Sequence, residues 1–448
     1  MFLTENYYDK KIANKFLEYE QDIKNEFESL DEKLFRSKPD FLFSIGKFNR
    51  TVITPYGVVC FKRRKYRYLE HNTWKYLFLL DNEIGLKAYQ RITTELKLKI
   101  LSNINDGKRQ KDILDMYSNA NISRMSISNI INEFKSNSYY RIAKNNIFEK
   151  DKIDLESKFL YIQLDETFLN LKRNNKASKY KIRLATFHTG YDKKANFNRP
   201  KLENKRAFYI KVASKTPIST EKYLDLVLKE INIFYKNINF KKIIVCGDGA
   251  SWIRKFAEFY KFPYILDKFH LIRYFKGCLF SNRKYVTWEM FKDLLSSYFN
   301  GNCAEIISHL KKWLIVTIDS NGNDKIKEAI KYVENNKDGI HSQELNWNIG
   351  CSIESDISHM VKSALGYGAK VYCNNNFKTI MDLRIAKVNE IDILKYYEAD
   401  LLAETAEQQA KFKRLRYIHW SKMKSDYQSR KGKNRVFLLD SIPVLLIR

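Results

Sequence analysis

The chain has 448 residues, too many for one ordinary core at roughly 150 residues per domain, so two or three domains with a sizeable interior are expected. Its 80 Lys and Arg against 52 Asp and Glu leave a formal charge of +28, a field that draws in polyanions and makes nucleic acid the natural partner, although an AT-rich genome also inflates lysine by codon choice. No run of about 18 apolar residues occurs, Met1 to Lys10 is polar, and the six cysteines form no CxxC pair; these features argue against a membrane span, a secretory signal, a zinc ribbon or a disulfide framework, and for a cytoplasmic protein with reduced thiols.

In chain order, Ile12, Phe16, Tyr19, Ile23 and Phe27 recur at helical spacing, which predicts an amphipathic helix from Asn6 to Leu34. Thr51 to Phe61 reads as strand, turn and strand around Pro55-Tyr56-Gly57, and Tyr76 to Leu80 as a further β run. The charge run Lys62, Arg63, Arg64 and Lys65 on this ribbon suits a phosphate backbone; a solvated edge strand guarded by lysines accounts for it equally well. Gln110 to Ser118 and a second helix carrying Ile127, Ile130, Ile131 and Phe134, capped by Ser123 or Ser126, have the layout of a helix-turn-helix. The outer face of the second helix offers Arg124, Ser128, Asn129 and Asn132 for base or phosphate contacts, while a plain helix pair remains the simpler alternative.

From Phe159 onward strands and helices alternate. Strands are expected at 159–165, 180–189, 206–213, 241–247 and 263–266, with a loop at 192–205 and a helix from Thr220 to Tyr235. Three strands, helix, strand, helix, strand make a mixed five-stranded sheet covered by helices, the order of a ribonuclease H-like core. Asp165 and Asp248 then end the first and fourth strands and converge at one sheet edge, where ligands of open α/β sheets bind. Glu354 sits on a helix whose buried stripe is Ile353, Ile357, Met360, Val361 and Ala364. A lone strand-end Asp is most often a turn or a cap; three carboxylates brought together call for a cation, and oxygen ligands suit two Mg²⁺ or Mn²⁺ ions acting on a phosphodiester. Glu166 points to the opposite sheet face, and Asp356 reads as a solvated or helix-dipole residue.

Five segments carry a resemblance: Tyr161-Ile-Gln-Leu-Asp-Glu-Thr167, Lys181-Ile-Arg-Leu-Ala185 with Thr189-Gly190-Tyr191, Gly247-Asp-Gly-Ala-Ser-Trp-Ile253, Leu266-Asp-Lys-Phe-His-Leu271, and Ser352-Ile-Glu354 through His359. With Thr54-Pro-Tyr-Gly-Val58 and Ile122-Ser-Arg124, the chain from about residue 40 to 385 resembles the ISLre-type insertion-sequence transposases, relatives of the Mutator-like DDE enzymes. The resemblance implies a divalent-metal-dependent recombinase with Asp165, Asp248 and Glu354 as its triad. Asp267 and His270 match that family's Asp-x-x-His signature, and by chemistry alone His270 suits a phosphate, a metal-bound water or plain structure. The gap from 248 to 354 is longer than a strand and crossover helix require, and the helical pattern from Leu271 to Leu345 resembles the all-helical insertion of the wider superfamily.

The expected organisation is thus 1–85 N-terminal helix and β-hairpin, 86–150 helix-turn-helix, 151–275 first part of the core, 276–345 helical insertion, 346–385 glutamate helix and 386–448 a basic helical tail. The expected function is binding of an element's terminal inverted repeats, cleavage at its ends and strand transfer into target DNA by a dimer or larger assembly. The alternatives are a ribonuclease H-like nuclease without strand transfer and an inactive, domesticated DNA-binding protein.

Overall fold

Ile23, Phe27, Leu30 and Leu34 recur at helical spacing and turn one side of α1 (Asn6–Arg36) onto Val52, Val59 and Phe61 of a neighbouring sheet. The computed structural model describes residues 6–70, 73–173, 176–192, 201–214, 219–363 and 372–431. Ala364, most of the expected 192–205 loop and the basic residues beyond Lys431 lie outside them. The chain divides into two units, one of Met1–Asn103, Gln110–Ile127 and Leu394–Arg448, the other of Ile104–Arg109 and Ser128–Ile393. It is a mixed α/β protein, and no described helix is long and apolar enough to cross a membrane.

In the first unit β1 (Phe43–Ile53), β2 (Val58–Glu70) and β3 (Thr73–Leu77) form an antiparallel sheet in that order. Thr54 closes the β1–β2 turn, its hydroxyl oxygen accepting the Tyr56 and Gly57 amides. The third strand ends earlier than its apolar run suggests, because Leu79 and Leu80 belong instead to α2 (Leu79–Glu83), where both are buried. A short apolar run fits either period, and burial decides between them.

The charge run on β2 requires a correction. β2 is the central strand, not an edge, and Arg63 and Arg64 are buried. Arg63 is paired with Asp81 of α2 and lies over Phe78; Arg64 reaches Asp31 at 2.8 Å and Glu32 at 2.6 Å on α1. Their charges are spent inside the unit, which leaves Lys62 and Lys65 as the accessible members of the run. Next come α3 (Thr94–Asn105), α4 (Gln110–Met116) and, after the left-handed Asn121 (φ 49°), α5 (Arg124–Glu133). Ser123 Oγ accepts the Ser126 amide at the start of α5. Ile127, Ile130, Ile131 and Phe134 are buried, Arg124, Asn129 and Asn132 are exposed, and Ser128 is half-buried. A long C-terminal helix, Leu394–Lys431, belongs to the first unit.

After Ile104–Arg109 and the last part of α5, the second unit contains α6 (Ser136–Asn145) and a two-residue β4 (Ile153–Asp154), then β5 (Leu160–Arg173), β6 (Lys176–His188) and β7 (Arg206–Ala213), an antiparallel meander. After α7 (Thr220–Phe234), N-capped by Ser219, β8 (Tyr235–Lys236) pairs with β4. Next, β9 (Ile243–Gly247), α8 (Ser251–Tyr260) and β10 (Tyr264–Leu266) complete the sheet order β10-β9-β5-β6-β7, with β9 parallel to β5 and β10 parallel to β9. Leu160, Ile162, Leu164 and Val245 face α7 and α8 in one core. The same core runs on through α9 (Lys268–Ser281), α10 (Trp288–Phe299), α11 (Cys303–Val316), α12 (Ser320–Asn335) and α13 (Lys337–His341), with Trp313 fully buried.

The glutamate helix is in part π-helical. α14 (Ile353–Asp356) is one α-helical turn, continued by a π-helical stretch from Ile357 to Lys362, the kind of widened turn often found at functional sites. β11 (Tyr372–Cys373) then pairs with the far end of β5, and α15 (Asn374–Val388) follows, its Asp382 accepting the Ser136 and Tyr209 hydroxyls.

Candidate active site

Asp165 does not end its strand. β5 continues eight residues further in register with β6, Asp165 opposite Leu184. The ending belongs to the neighbour: β9 pairs with β5 only as far as Gly247 opposite Leu164, so Asp165 is the first β5 residue beyond the end of β9. Asp248 follows that end directly. Two carboxylates therefore meet at the carboxyl end of β9, although only one of them terminates a strand.

Alternation along β5 sorts its side chains by face. Ile162 and Leu164 enter the helix-covered core, whereas Tyr161 packs on Ile244, Cys246 and Ile265 of the other face, against Trp347, Ile349 and Cys351. Gln163 and Asp165 share that second face. Gln163 Oε1 accepts both the backbone amide and the hydroxyl of Ser352, at 3.1 and 3.0 Å, and its amide hydrogen-bonds with buried His188. This clamp fixes the start of α14, and with it Glu354, over the face that carries Asp165. Glu166 lies on the opposite face between Lys181 (3.0 Å) and Arg183 (3.2 Å).

Asp248 is held from the helical side. Its Oδ1 accepts the Ala250 amide, and its backbone carbonyl accepts the Tyr332 hydroxyl of α12 at 2.6 Å. Gly249 has φ +84°, and a Cβ there would come 2.7 Å from Asn336 Oδ1, so the turn after Asp248 needs glycine twice over. His270 sits in the first turn of α9, its Nδ1 3.0 Å from Asp267, the N-cap whose other oxygen accepts the Phe269 amide.

The electrostatics tie these groups together. Burial pushes the Asp165 carboxyl up to about 7 from 3.8, helped by the Asp248 charge and, more weakly, by Glu354, with His270 opposing. Burial also raises Asp248, against its Ala250 hydrogen bond and the pull of His270. His270 is raised by its bond to Asp267 and by the Asp248 and Asp165 charges. Glu354 is more open, and its Oε1 accepts from Lys362 at 3.0 Å across the π-helical stretch. Asp356 is not solvated: it is buried and paired with Lys205.

By chemistry the three carboxylates are hard, anionic oxygen donors that suit Mg²⁺ or Mn²⁺. By spacing they stand apart: among the described residues no three His, Cys, Asp or Glu side chains are drawn closely enough to hold a metal ion as they are. The six cysteines form no disulfide. Sequence reasoning gave no separate role to Gln163, Ser352 or Tyr332. Only Gln163 carried a signal, a polar residue two positions before Asp165 in an apolar strand.

The fold and this edge define a mixed α/β protein in which acids from three separate stretches and a histidine gather where a parallel strand stops. The chain belongs to the family described as UPF0236, an uncharacterised protein family, which it matches over residues 19–400. It is similar to UPF0236 proteins of Caldanaerobacter subterraneus subsp. tengcongensis, with 26% identity over 351 residues in two of them, covering 78% of this chain and 69% and 70% of theirs. Among solved structures, the Drosophila P element transposase strand transfer complex aligns over 71% of this chain and 83% of its own, at 11% identity and a TM-score of 0.27.

Proposed function

We propose that this protein is a DNA transposase of the DDE type, with a ribonuclease H-like core, that binds the terminal inverted repeats of an insertion sequence, cuts at its ends and joins them to target DNA. The observation that carries the proposal is that Asp165, at the end of β9, is raised by burial and by the charges of Asp248 and, more weakly, Glu354, three acids from separate stretches of the chain. Two further facts support it. The excess of basic residues suits a DNA substrate, and the first relative's name joins eleven locus labels of a single genome, the multiplicity that an element copying itself leaves behind.

In this mechanism Asp165, Asp248 and Glu354 would hold two Mg²⁺ or Mn²⁺ ions, which would activate the attacking oxygen and neutralise the leaving one. Lys362 keeps Glu354 paired until the site is loaded, and Gln163 keeps α14 in place throughout. His270, held by Asp267 and raised in basicity by that bond, stands beside the acids to orient a phosphate. The exposed Arg124, Asn129 and Asn132 of α5, with Ser128, read the element's ends as the second helix of a helix-turn-helix, and Lys62 and Lys65 hold backbone phosphates.

The test uses duplexes that carry the element's own ends, with Mg²⁺ or Mn²⁺. Asp165→Ala, Asp248→Ala and Glu354→Ala are each expected to lower strand joining more than about 100-fold while end binding persists. Near-normal joining by any one removes that residue from the triad. Products that are cut but never joined would instead identify a nuclease.

A further inference from the structure

The sheet of the first unit leaves a broad area of β1, β2 and β3 in solvent, and that area alternates rings with cations. The Lys65 ammonium reaches diagonally to Phe48 of β1 and Tyr76 of β3, 5.7 Å and 4.6 Å from their ring centroids, while Phe43, Arg67 and Tyr76 stand opposite one another in one row. Two residues along β2, the Arg67 guanidinium lies 4.6 Å over Trp74, whose ring meets Phe43 edge-on at 6.3 Å. All four rings are exposed: Phe43 by 53%, Phe48 by 43%, Trp74 by 44% and Tyr76 by 57%. Glu70 is the only acidic residue in the three strands. Large rings held in water at this density mark a binding surface rather than a stability device.

We propose that this face binds an unpaired nucleic-acid strand, its bases stacking on Phe48, Tyr76, Trp74 and Phe43 and its phosphates meeting Lys65 and Arg67. Phosphate contact alone needs no rings, whereas a base has a π-face for any aromatic it can reach. The spacing separates single strand from duplex. Two residues along a strand are roughly 6.7 Å, about twice the 3.4 Å per nucleotide of a stacked duplex strand, so bases seated on successive rows must already be unstacked. A duplex offers only base edges, in its grooves. Charge argues against a second copy of the chain as the occupant, since the same cationic face would then oppose itself. The inference concerns a second contact with nucleic acid and stands apart from the acids of the other unit.

The experiment is fluorescence anisotropy of the full chain with labelled oligothymidylate and with a duplex of equal length. Trp74→Ala and Tyr76→Ala are each expected to weaken oligothymidylate binding about tenfold and to leave duplex affinity within about twofold, while Trp74→Phe binds as the parent does. Both side chains are exposed, and unchanged thermal unfolding of each variant confirms that the sheet is intact. Undiminished oligothymidylate binding by the double variant overturns the proposal. So does equal loss for both ligands, and so does a parent dimer, seen by sedimentation, that Trp74→Ala dissociates. Asp165→Asn is expected to bind oligothymidylate normally, so a failed joining assay and a failed binding assay report on different claims.

Discussion

The two sheets use charge in opposite ways. In the first unit neighbours in sequence, Arg63 and Arg64, are drawn inward and neutralised by Asp81, Asp31 and Glu32 from α2 and α1. In the second, acids remote in sequence, Asp165 and Asp248, act on one another near a strand end, with Glu354 and His270 also within electrostatic reach of Asp165. A run of charges along a chain thus says little about where their fields act. What decides is whether the fold supplies each charge with a partner or withholds one.

The sharpest test of that contrast removes a partner from the first unit. Arg63→Ala should strand the Asp81 carboxylate in a buried site and cost about 3–5 kcal/mol in chemical denaturation, whereas a loss below about 0.5 kcal/mol would show the pair to be dispensable. In the second unit, removing a charge should stabilise. The Asp165 carboxyl titrates near 7 when folded and near 3.8 when unfolded. From pH 3.8 upward the unfolded chain ionises first, so this group lowers stability progressively until about pH 7. Asp165→Asn should therefore melt higher than the parent at pH 8, by a few degrees, and equally at pH 3.5. A melting difference that does not change with pH would put Asp165 in an ordinary solvated setting.

Smaller effects follow from the clamp and the lysines. Gln163→Leu and Ser352→Ala should each cost about 1 kcal/mol, and a double-mutant cycle should show them coupled; additive losses would mean that α14 is held by other contacts. Lys62→Ala should change stability by less than about 0.5 kcal/mol, yet lower the salt dependence of duplex binding by about one ion. An unchanged slope would remove Lys62 from the DNA surface.

Much of the second unit was legible because its signals are periodic. The strands around 160–165, 206–213, 243–247 and 264–266, and the helix from Thr220, fall near their expected places, since β-branched runs bounded by Gly and Pro leave little choice. The length of β5 was not legible: Asn170, Lys172 and Arg173 break up the apolar run after Asp165, and pairing with β6 carries the strand through them. Local pattern likewise misses what depends on a distant partner. Asp356 looked solvated until Lys205, 151 residues away, was found beside it. Arg63 and Arg64 looked like surface because nothing near them in sequence announced α1 and α2 as acidic lids.

The hydrogen bond from Tyr332 to the Asp248 carbonyl bears on modularity. The helices between β10 and α14 are continuous in sequence and long enough to resemble a cassette, but they share one uninterrupted core with the sheet, and α12 buttresses the loop that presents an acid. Excising them would not leave a smaller scaffold awaiting a graft; it would strip one wall from that core and the support from Asp248. Chimeras between relatives should accordingly fail at crossovers between Lys268 and His341, where the exchange would have to carry the sheet along with the helices.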